Sequence, residues 1–275
     1  MQPKRPIGIF DSGVGGLSVA MEIARLLPAE DLLYIGDQAN VPYGSKPLER
    51  IQQLSDSITR FLLEKKAKCV VVACNTASAA SLHTLRQSYP TIPFIGMEPA
   101  IKPASQATQT GAIGVLATPA TFKGQLYNQT LQRYANGKQV YQSTCDGLVE
   151  QIEAGELNSP RTLQILQNAL QPMLAAGVDS VVLGCTHYPF VLEQIANIAG
   201  PAVQIINPAP AVARQVRAVL QERSALEQGD TLGNFTLITT GDVDHTTAFL
   251  QAAGIRIPIT FQPGTWIGED ITSHS

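Results

Sequence analysis

The 275-residue chain has one tryptophan, few charges and no run of basic residues. With a net charge of −3 and no lysine or arginine cluster, it lacks what holds nucleic acid or an anionic membrane surface, so neither is expected as its main partner. No apolar run approaches the 18 residues that would mark a membrane-spanning helix. A strand-like segment begins almost directly after Met1–Pro6, which leaves no room for a secretory leader, so a cytoplasmic location is expected. The four cysteines, Cys69, Cys74, Cys145 and Cys185, are too few for a disulfide framework. None pairs at Cys-x-x-Cys spacing, so no metal site is expected. What remains is an ordinary globular composition, 44% hydrophobic, enough to bury one large core or two smaller ones.

Two segments end alike. Cys69-Val70-Val71-Val72-Ala73-Cys74-Asn75-Thr76 and Ser180-Val181-Val182-Leu183-Gly184-Cys185-Thr186-His187 each place a cysteine just past a short aliphatic run. Such runs read as buried parallel strands, which puts both thiols at strand C-termini, where open α/β sheets bind their ligands. The likeness extends further: Ile7-Gly8-Ile9-Phe10-Asp11-Ser12 is echoed by Ile113-Gly114-Val115-Leu116-Ala117-Thr118, and Glu98-Pro99-Ala100 by Asn207-Pro208-Ala209. An offset of roughly 110 residues is the size of a whole domain rather than of a solenoid repeat. The reading is therefore an α/β protein of two similar doubly wound domains with mainly parallel sheets, related by a pseudo-two-fold duplication. Facing each other, the domains would bring both cysteines into the cleft between them.

The spacing fills in this frame. Pro6–Phe10 reads as a strand leading through Asp11-Ser12-Gly13-Val14-Gly15-Gly16 into a helix with Leu17, Met21, Ala24 and Leu27 on one side. Leu32–Ile35 is a second strand, followed by a loop with Asp37 and Pro42-Tyr43-Gly44. Leu48, Ile51, Leu54, Ile58, Phe61 and Leu62 form an amphipathic helical stripe, as do Leu163, Leu166, Leu170 and Leu174, where Pro172 should kink the helix or mark its last turn. Strands at Ile92–Met97 and Val203–Ile206 close the two copies. Beyond them come a helix over Ala211–Leu220, a polar loop from Glu222 to Asn234, a strand at Phe235–Thr239 and a short helix through Leu250. These extra elements are expected to return to the first domain, giving boundaries of 1–97 plus 209–275 and 98–208. The tail with Trp266 and Ser273-His274-Ser275 is expected to be loosely held.

Several side chains near the strand ends carry chemistry, each with a plainer alternative. The Gly13-Val14-Gly15-Gly16 turn can cradle an anion, yet it lacks the endings of a P-loop or dinucleotide fingerprint, and tight-turn glycines explain it equally well. A carboxylate suits such a helix N-terminus as well as a phosphate does. Asp11 is a candidate for orienting a thiol proton, or else a helix N-cap. His187, two residues past Cys185, is a partner for that thiol, and cysteine, histidine and an acid also make a hydrolase triad. Cys69 and Cys145 read as small buried hydrophobes.

A hydrolase needs one activated cysteine, whereas two equivalent thiols flanking one carbon suit removal of an α-proton from one face and delivery to the other. Thiols have an ordinary pKa of about 8.5, lowered at helix N-termini. Ser12, Asn75, Thr76, Thr118, Thr121 and Thr186 are hydroxyl and amide neighbours suited to fixing a small zwitterion. No lysine sits in an evident pyridoxal-phosphate context, with Lys123 in Thr121-Phe122-Lys123-Gly124 left open. Carbanion stabilisation would then rest on preorganised electrostatics.

At these residues the chain resembles the cofactor-independent glutamate racemases of the aspartate/glutamate racemase superfamily, over essentially its whole length. The motifs are Asp11-Ser12-Gly13, Asp37 with Pro42-Tyr43-Gly44, Cys74-Asn75-Thr76-Ala77-Ser78, Thr118 with Thr121, and Gly184-Cys185-Thr186-His187-Tyr188-Pro189. The resemblance implies interconversion of L- and D-glutamate for bacterial peptidoglycan without metal or pyridoxal phosphate. Cys74 would take the proton from D-glutamate and Cys185 from L-glutamate. It also implies an assisting acid in the second domain, best matched by Glu153, with Glu150 on the same helical face as the alternative. Glu153 would orient His187, and Asp11 would serve Cys74. Asp37, Pro42, Tyr43 and Gly44 join the hydroxyl and amide residues as candidate substrate contacts. Members of the family are often dimers with different faces buried, so a homodimer is an open option. Aspartate racemase, a cysteine-dependent amidohydrolase and a non-catalytic binding module are the competing readings.

Overall fold

The computed structural model describes residues 4–229 and 231–273. The chain alternates strand and helix through its first 222 residues. β1 (Ile7–Asp11), α1 (Leu17–Leu26), β2 (Leu32–Gly36), α2 (Leu48–Glu64), β3 (Cys69–Val72), α3 (Asn75–Ser88) and β4 (Phe94–Gly96) form the first copy. After α4 (Ile101–Ala107) the second copy follows: β5 (Ala112–Ala117), α5 (Pro119–Lys123), α6 (Gln125–Tyr134), β6 (Gln139–Ser143), α7 (Leu148–Glu153), α8 (Pro160–Ala175), β7 (Ser180–Gly184), α9 (Leu192–Ala199) and β8 (Gln204–Ile206). α10 (Ala209–Glu222), β9 (Phe235–Thr239), α11 (Val243–Ala252), β10 (Thr260–Ile267) and β11 (Asp270–Ser273) complete the chain.

The second sheet runs β6-β5-β7-β8 and is wholly parallel. The first runs β11-β10-β9-β2-β1-β3-β4, so β2-β1-β3-β4 repeats the same order strand for strand. This shared winding is what the sequence echoes at an offset of roughly 110 residues predict. In both sheets the central strands are buried along their whole length, which accounts for their unbroken aliphatic runs. Helices cover both faces. α2 presents Ile51, Leu54, Ile58, Phe61 and Leu62 to one face of the first sheet, while α1 and α10 pack together on the other. Pro172 falls in the last turn of α8, where the helix ends within four residues.

A single apolar cluster extends from the α1 face of the first sheet, through Val14 and Leu17, to Leu148, Ile152, Leu166 and Val181 of the second. Phe190 after β7 meets Phe249 of α11 edge to face, with ring centroids 5.0 Å apart. The two sheets thus share apolar packing.

The C-terminal segment departs from expectation. Rather than a loose tail, β10 joins β9 in parallel and β11 returns antiparallel to it. Trp266 Nε1 donates to Asp37 Oδ1 at 2.7 Å, tying this edge to the loop after β2. His274 and Ser275 lie outside the described residues.

A buried ion pair fixes the loop between α10 and β9. Lys68 Nζ lies 2.6 Å from Glu30 Oε2, with side-chain exposures of 5% and 1%. It also donates to the Ala225 carbonyl at 2.7 Å, while Glu30 Oε1 accepts from Glu227 N–H at 2.9 Å. Removing one partner strands a buried charge. Lys68→Met is therefore expected to cost about 3–5 kcal/mol in urea unfolding, and Lys68→Met combined with Glu30→Leu substantially less. Equal losses in the single and double variants would contradict this account.

Candidate active site

Both cysteines stand where the sheets end. Cys74 caps α3: its Sγ accepts from Ala77 N–H at 3.4 Å, and its S–H points to Ser12 Oγ at 3.9 Å. Cys185 lies immediately beyond β7, its Sγ 3.6 Å from His187 Nδ1. Each comes from its own sheet, and both line one small cavity with Ser12, Pro42, Tyr43, Gly44, Asn75, Thr76, Thr118, Thr186 and His187. The cavity leaves about 20 Å³, room for roughly one water molecule. Cys69 and Cys145 behave as buried hydrophobes, with thiols pushed by burial up to about 12.

The two thiols have different electrostatic surroundings. Burial pushes the Cys74 thiol well above its ordinary value, and the charge of Asp11 adds to this against the Ala77 N–H. Asp11 is fully buried at the end of β1. Burial raises its pKa, opposed by the charge of His187 and the Gly16 N–H. Its Oδ2 accepts from Gly13 and Gly16 N–H at 3.1 and 3.0 Å, and its Oδ1 accepts from the Thr186 hydroxyl at 3.3 Å. Around Cys185 stands a histidine and an acid: His187 Nε2 is 2.6 Å from Glu153 Oε1. Burial lowers the His187 pKa, but its hydrogen bonds to Cys185 and Glu153 outweigh this and hold it well above the usual value. Both ring nitrogens thus face a hydrogen-bond partner, Nε2 facing Glu153 and Nδ1 facing Cys185.

The glycine-rich turn holds carboxylates. Val14 N–H donates to Glu153 Oε1 at 2.8 Å, and Tyr34 O–H donates to the Gly13 carbonyl at 2.6 Å. A Cβ on Gly13 would overlap Glu153 Oε1, and one on Gly15 would overlap the His187 ring. The glycines are there because the acid and the imidazole of the second sheet's unit rest directly on the turn. Of the two acids considered on α7, Glu153 is buried in this contact and Glu150 is exposed.

Asp37 and Thr121 are not at the cavity wall. Asp37 is fully buried and accepts from Asn40, Tyr43, Thr240 and Trp266. It braces Tyr43, whose hydroxyl donates to it at 2.7 Å. Thr121 stands behind Thr118, their hydroxyls 3.0 Å apart, and Thr118 Oγ1 in turn meets Thr76 Oγ1 at 2.9 Å. Three participants carry no signal in the sequence. Val149 lines the cavity, Gln38 Nε2 donates to Glu153 Oε2 at 3.2 Å, and His245 Nε2 lies 2.7 Å from the Glu153 carbonyl. Gln38 sits one residue past the Asp37 motif, and nothing in its spacing separates it from a solvated loop residue.

One observation points to a ligand. The side-chain amide of Asn75 is buried at the cavity wall, and neither its oxygen nor its nitrogen has a partner. An unpaired buried amide costs free energy unless a polar ligand completes it.

The contact between turn and acid can be measured by a double-mutant cycle. Gly13→Ala is expected to destabilise by about 1–3 kcal/mol through overpacking. In a Glu153→Ala background, where the methyl has room, the cost should fall below about 0.5 kcal/mol in urea unfolding. The same cost in both backgrounds would rule out the contact.

Known proteins are similar to this chain over most of its length. The Asp/Glu/Hydantoin racemase family matches residues 7–216. A glutamate racemase of Roseiflexus sp. (strain RS-1) is 50% identical over 245 residues, covering 89% of this chain and 90% of that protein. One from Pseudomonas aeruginosa PAO1 is 49% identical over 223 residues, covering 81% and 84%. Among solved structures, Escherichia coli glutamate racemase in complex with L-glutamate and the activator UDP-MurNAc-Ala superimposes with a TM-score of 0.84 at 30% identity, covering 97% of this chain and all of that one. The RacE1 glutamate racemase of Bacillus anthracis gives 0.81 at 33% identity, covering 97% and 98%. With two strand-end thiols on one cavity and these matches along its length, the chain belongs to the Asp/Glu/Hydantoin racemase family.

Proposed function

We propose that the chain interconverts L- and D-glutamate by proton transfer between two cysteines. The observation that carries this reading is the convergence of Cys74 and Cys185, at equivalent positions of two like-wound sheets, on a single small cavity. One sulfur accepts the α-proton as the carbon–hydrogen bond breaks. The other sulfur gives its own proton to the opposite face of the carbanion, inverting the centre. The balance is one proton in and one out, and the reading assigns no cofactor. Glutamate is preferred over aspartate because the most similar relatives are named for it.

Further assignments follow from the geometry and the family likeness. Cys74 acts on D-glutamate, supported by Asp11 and Ser12. Cys185 acts on L-glutamate, supported by His187 and Glu153. Cys74, whose thiol burial pushes well above its ordinary value, is suited to donate, and His187, held well above its usual value by Cys185 and Glu153, stands behind Cys185. Asn75, Thr76, Thr118 and Thr186, with the Ser12 hydroxyl, supply the polar contacts for the substrate's carboxylates and amine. Pro42, Tyr43 and Gly44 complete the wall, with Asp37 and Thr121 bracing Tyr43 and Thr118 from behind. The acidity of the α-carbon rests on the exclusion of water and on fixed donors around the carboxylate. The domains are assigned as 1–97 plus 209–275 and 98–208. Every group invoked lies in one chain, so the chemistry is complete in a monomer or a homodimer. A bacterial cytoplasmic location and a role in supplying D-glutamate for peptidoglycan complete the reading.

The test is proton NMR of L-glutamate and L-aspartate in D₂O with purified, metal-stripped protein. Loss of the glutamate α-proton signal with appearance of D-glutamate is expected. Cys74→Ser and Cys185→Ser should each reduce the rate at least ~100-fold, within the range for removing an acid/base group. Exchange of aspartate alone would move the assignment to that substrate, and loss of activity in only one of the two variants would favour a hydrolase.

A further inference from the structure

Glu153 belongs to α7, yet its side chain is held largely by groups from the other sheet's unit. Besides Val14 N–H, its Oε2 accepts from Gln38 Nε2 at 3.2 Å. Gln38 cannot turn freely. Its Oε1 accepts from the hydroxyls of Thr239 and Thr246, the latter at 2.7 Å, so the amide nitrogen is left facing Glu153. Thr246 is itself fixed by donation to the Asp242 carbonyl at 2.9 Å, alternative to its bond with Gln38, and is 1% exposed. A Cβ on Gly241 would come within 2.8 Å of Gln38 Cβ, so the backbone there packs against the glutamine stem. α11 reaches the same residue a second way, through His245 Nε2 and the Glu153 carbonyl, and meets the segment after β7 through the Phe249–Phe190 ring pair.

We propose that Gln38 is a positioning residue for the racemase reaction, a fixed amide through which β9 and α11 hold Glu153 in register with His187 and Cys185. The inference rests on the two-thiol reading above. Gln38 is absent from the cavity wall, so it acts through Glu153 and not on substrate. Its neutral amide matters because Glu153 is already surrounded by ionisable groups: His187 from the loop after β7, Asp11 from β1, Tyr34 from β2 and His245 from α11. Asp37 and Asp242 flank Gln38 on its own side. A donor at this position satisfies the remaining Glu153 oxygen, whereas an acceptor opposes it.

Gln38→Glu makes this testable. The variant keeps an oxygen for the Thr239 and Thr246 hydroxyls, so packing is preserved, but it sets a second carboxylate against Glu153. Two carboxylates at this separation repel when both are ionised, and uptake of one shared proton relieves the repulsion. The expected result is a fall of at least ~10-fold in kcat at pH 8, with KM little changed, and a variant-to-parent activity ratio that rises as the pH is lowered and the pair gains its proton. Thr246→Val, which removes one of the two hydroxyls holding the amide without adding charge, should lower kcat by roughly 2–5-fold with a ratio independent of pH, in keeping with loss of one neutral hydrogen bond. Thermal unfolding of each variant separates misfolding from mispositioning, and Thr246→Val reads the relay if Gln38→Glu does not fold. Unchanged kcat in both folded variants, or a Gln38→Glu loss that is the same at every pH, would overturn the proposal. Parent racemisation measured alongside distinguishes this from failure of the two-thiol reading, in which the parent itself would be inactive.

Discussion

The site depends on one contact: the carboxylate of Glu153 seated on the turn between β1 and α1. A buried carboxylate is costly unless its oxygens are satisfied. Here its partners are Val14 N–H, the Gln38 amide and the His187 ring. The first two come from the unit containing β1 and the third from the unit of Glu153 itself. Glu153 therefore reaches full satisfaction only when the two units are together, and the same oxygen that accepts from Val14 also accepts from His187. Docking and the arrangement of the proton-transfer groups are a single energetic event. The peptide N–H groups at the start of α1 add the favourable end of a helix dipole, and the missing side chains of Gly13 and Gly15 give the acid and the imidazole room to approach.

This contact also explains why a symmetric frame holds an asymmetric site. The strand orders of the two copies coincide, and the two cysteines occupy matching ends of β3 and β7. Their supports differ because the copies have diverged on the segments that follow. Cys74 heads a full helix and receives the Ala77 N–H, whereas Cys185 is followed by a short 3-10 turn at Tyr188–Val191 and relies on His187. At the end of β1 stands Asp11, and at the matching end of β5 stand Ala117 and Thr118. Each unit also lends a group to the other: Thr186 donates to Asp11, and Val14 to Glu153. Thiol chemistry on both faces of one carbon requires similar placement of the sulfurs, not similar means of holding them.

Most of this frame was legible because buried parallel strands leave a strong mark. Cys69–Val72 and Ser180–Gly184 are aliphatic since both their faces are covered, and cysteines placed just after them land at the ligand edge. The β10–β11 edge was not legible. Gln262-Pro263-Gly264-Thr265 has no apolar alternation, and the segment is held by pairing with β9 and by Trp266 on Asp37, a partner 229 residues away in sequence. Asp37 illustrates the reverse difficulty: its acidic side chain in a motif suggested a substrate contact, but burial with four donors makes it a brace. Gln38 and His245 escaped notice because their roles exist only once α11 has folded back over the loop after β2. The glycines were visible, and the carboxylate they receive was one of the two anions considered, but that it comes from α7 is settled by tertiary packing alone.

The placement of the polar contacts bears on how substrate enters. The cavity of about 20 Å³ is smaller than an amino acid, so on the reading proposed above substrate enters as the units part on the thiol side. The hydrogen bonds across that opening are Val14 and Gln38 to Glu153, Thr186 to Asp11, Ser18 to the Thr186 carbonyl, and Thr76 with Thr118. The first two of these hold Glu153, which in turn meets the His187 ring. Parting the units to admit substrate thus loosens the proton-transfer groups, and closing restores them around a carbon from which water has been expelled. Exclusion of water and assembly of the acid–base pair follow from one movement because they share one set of bonds.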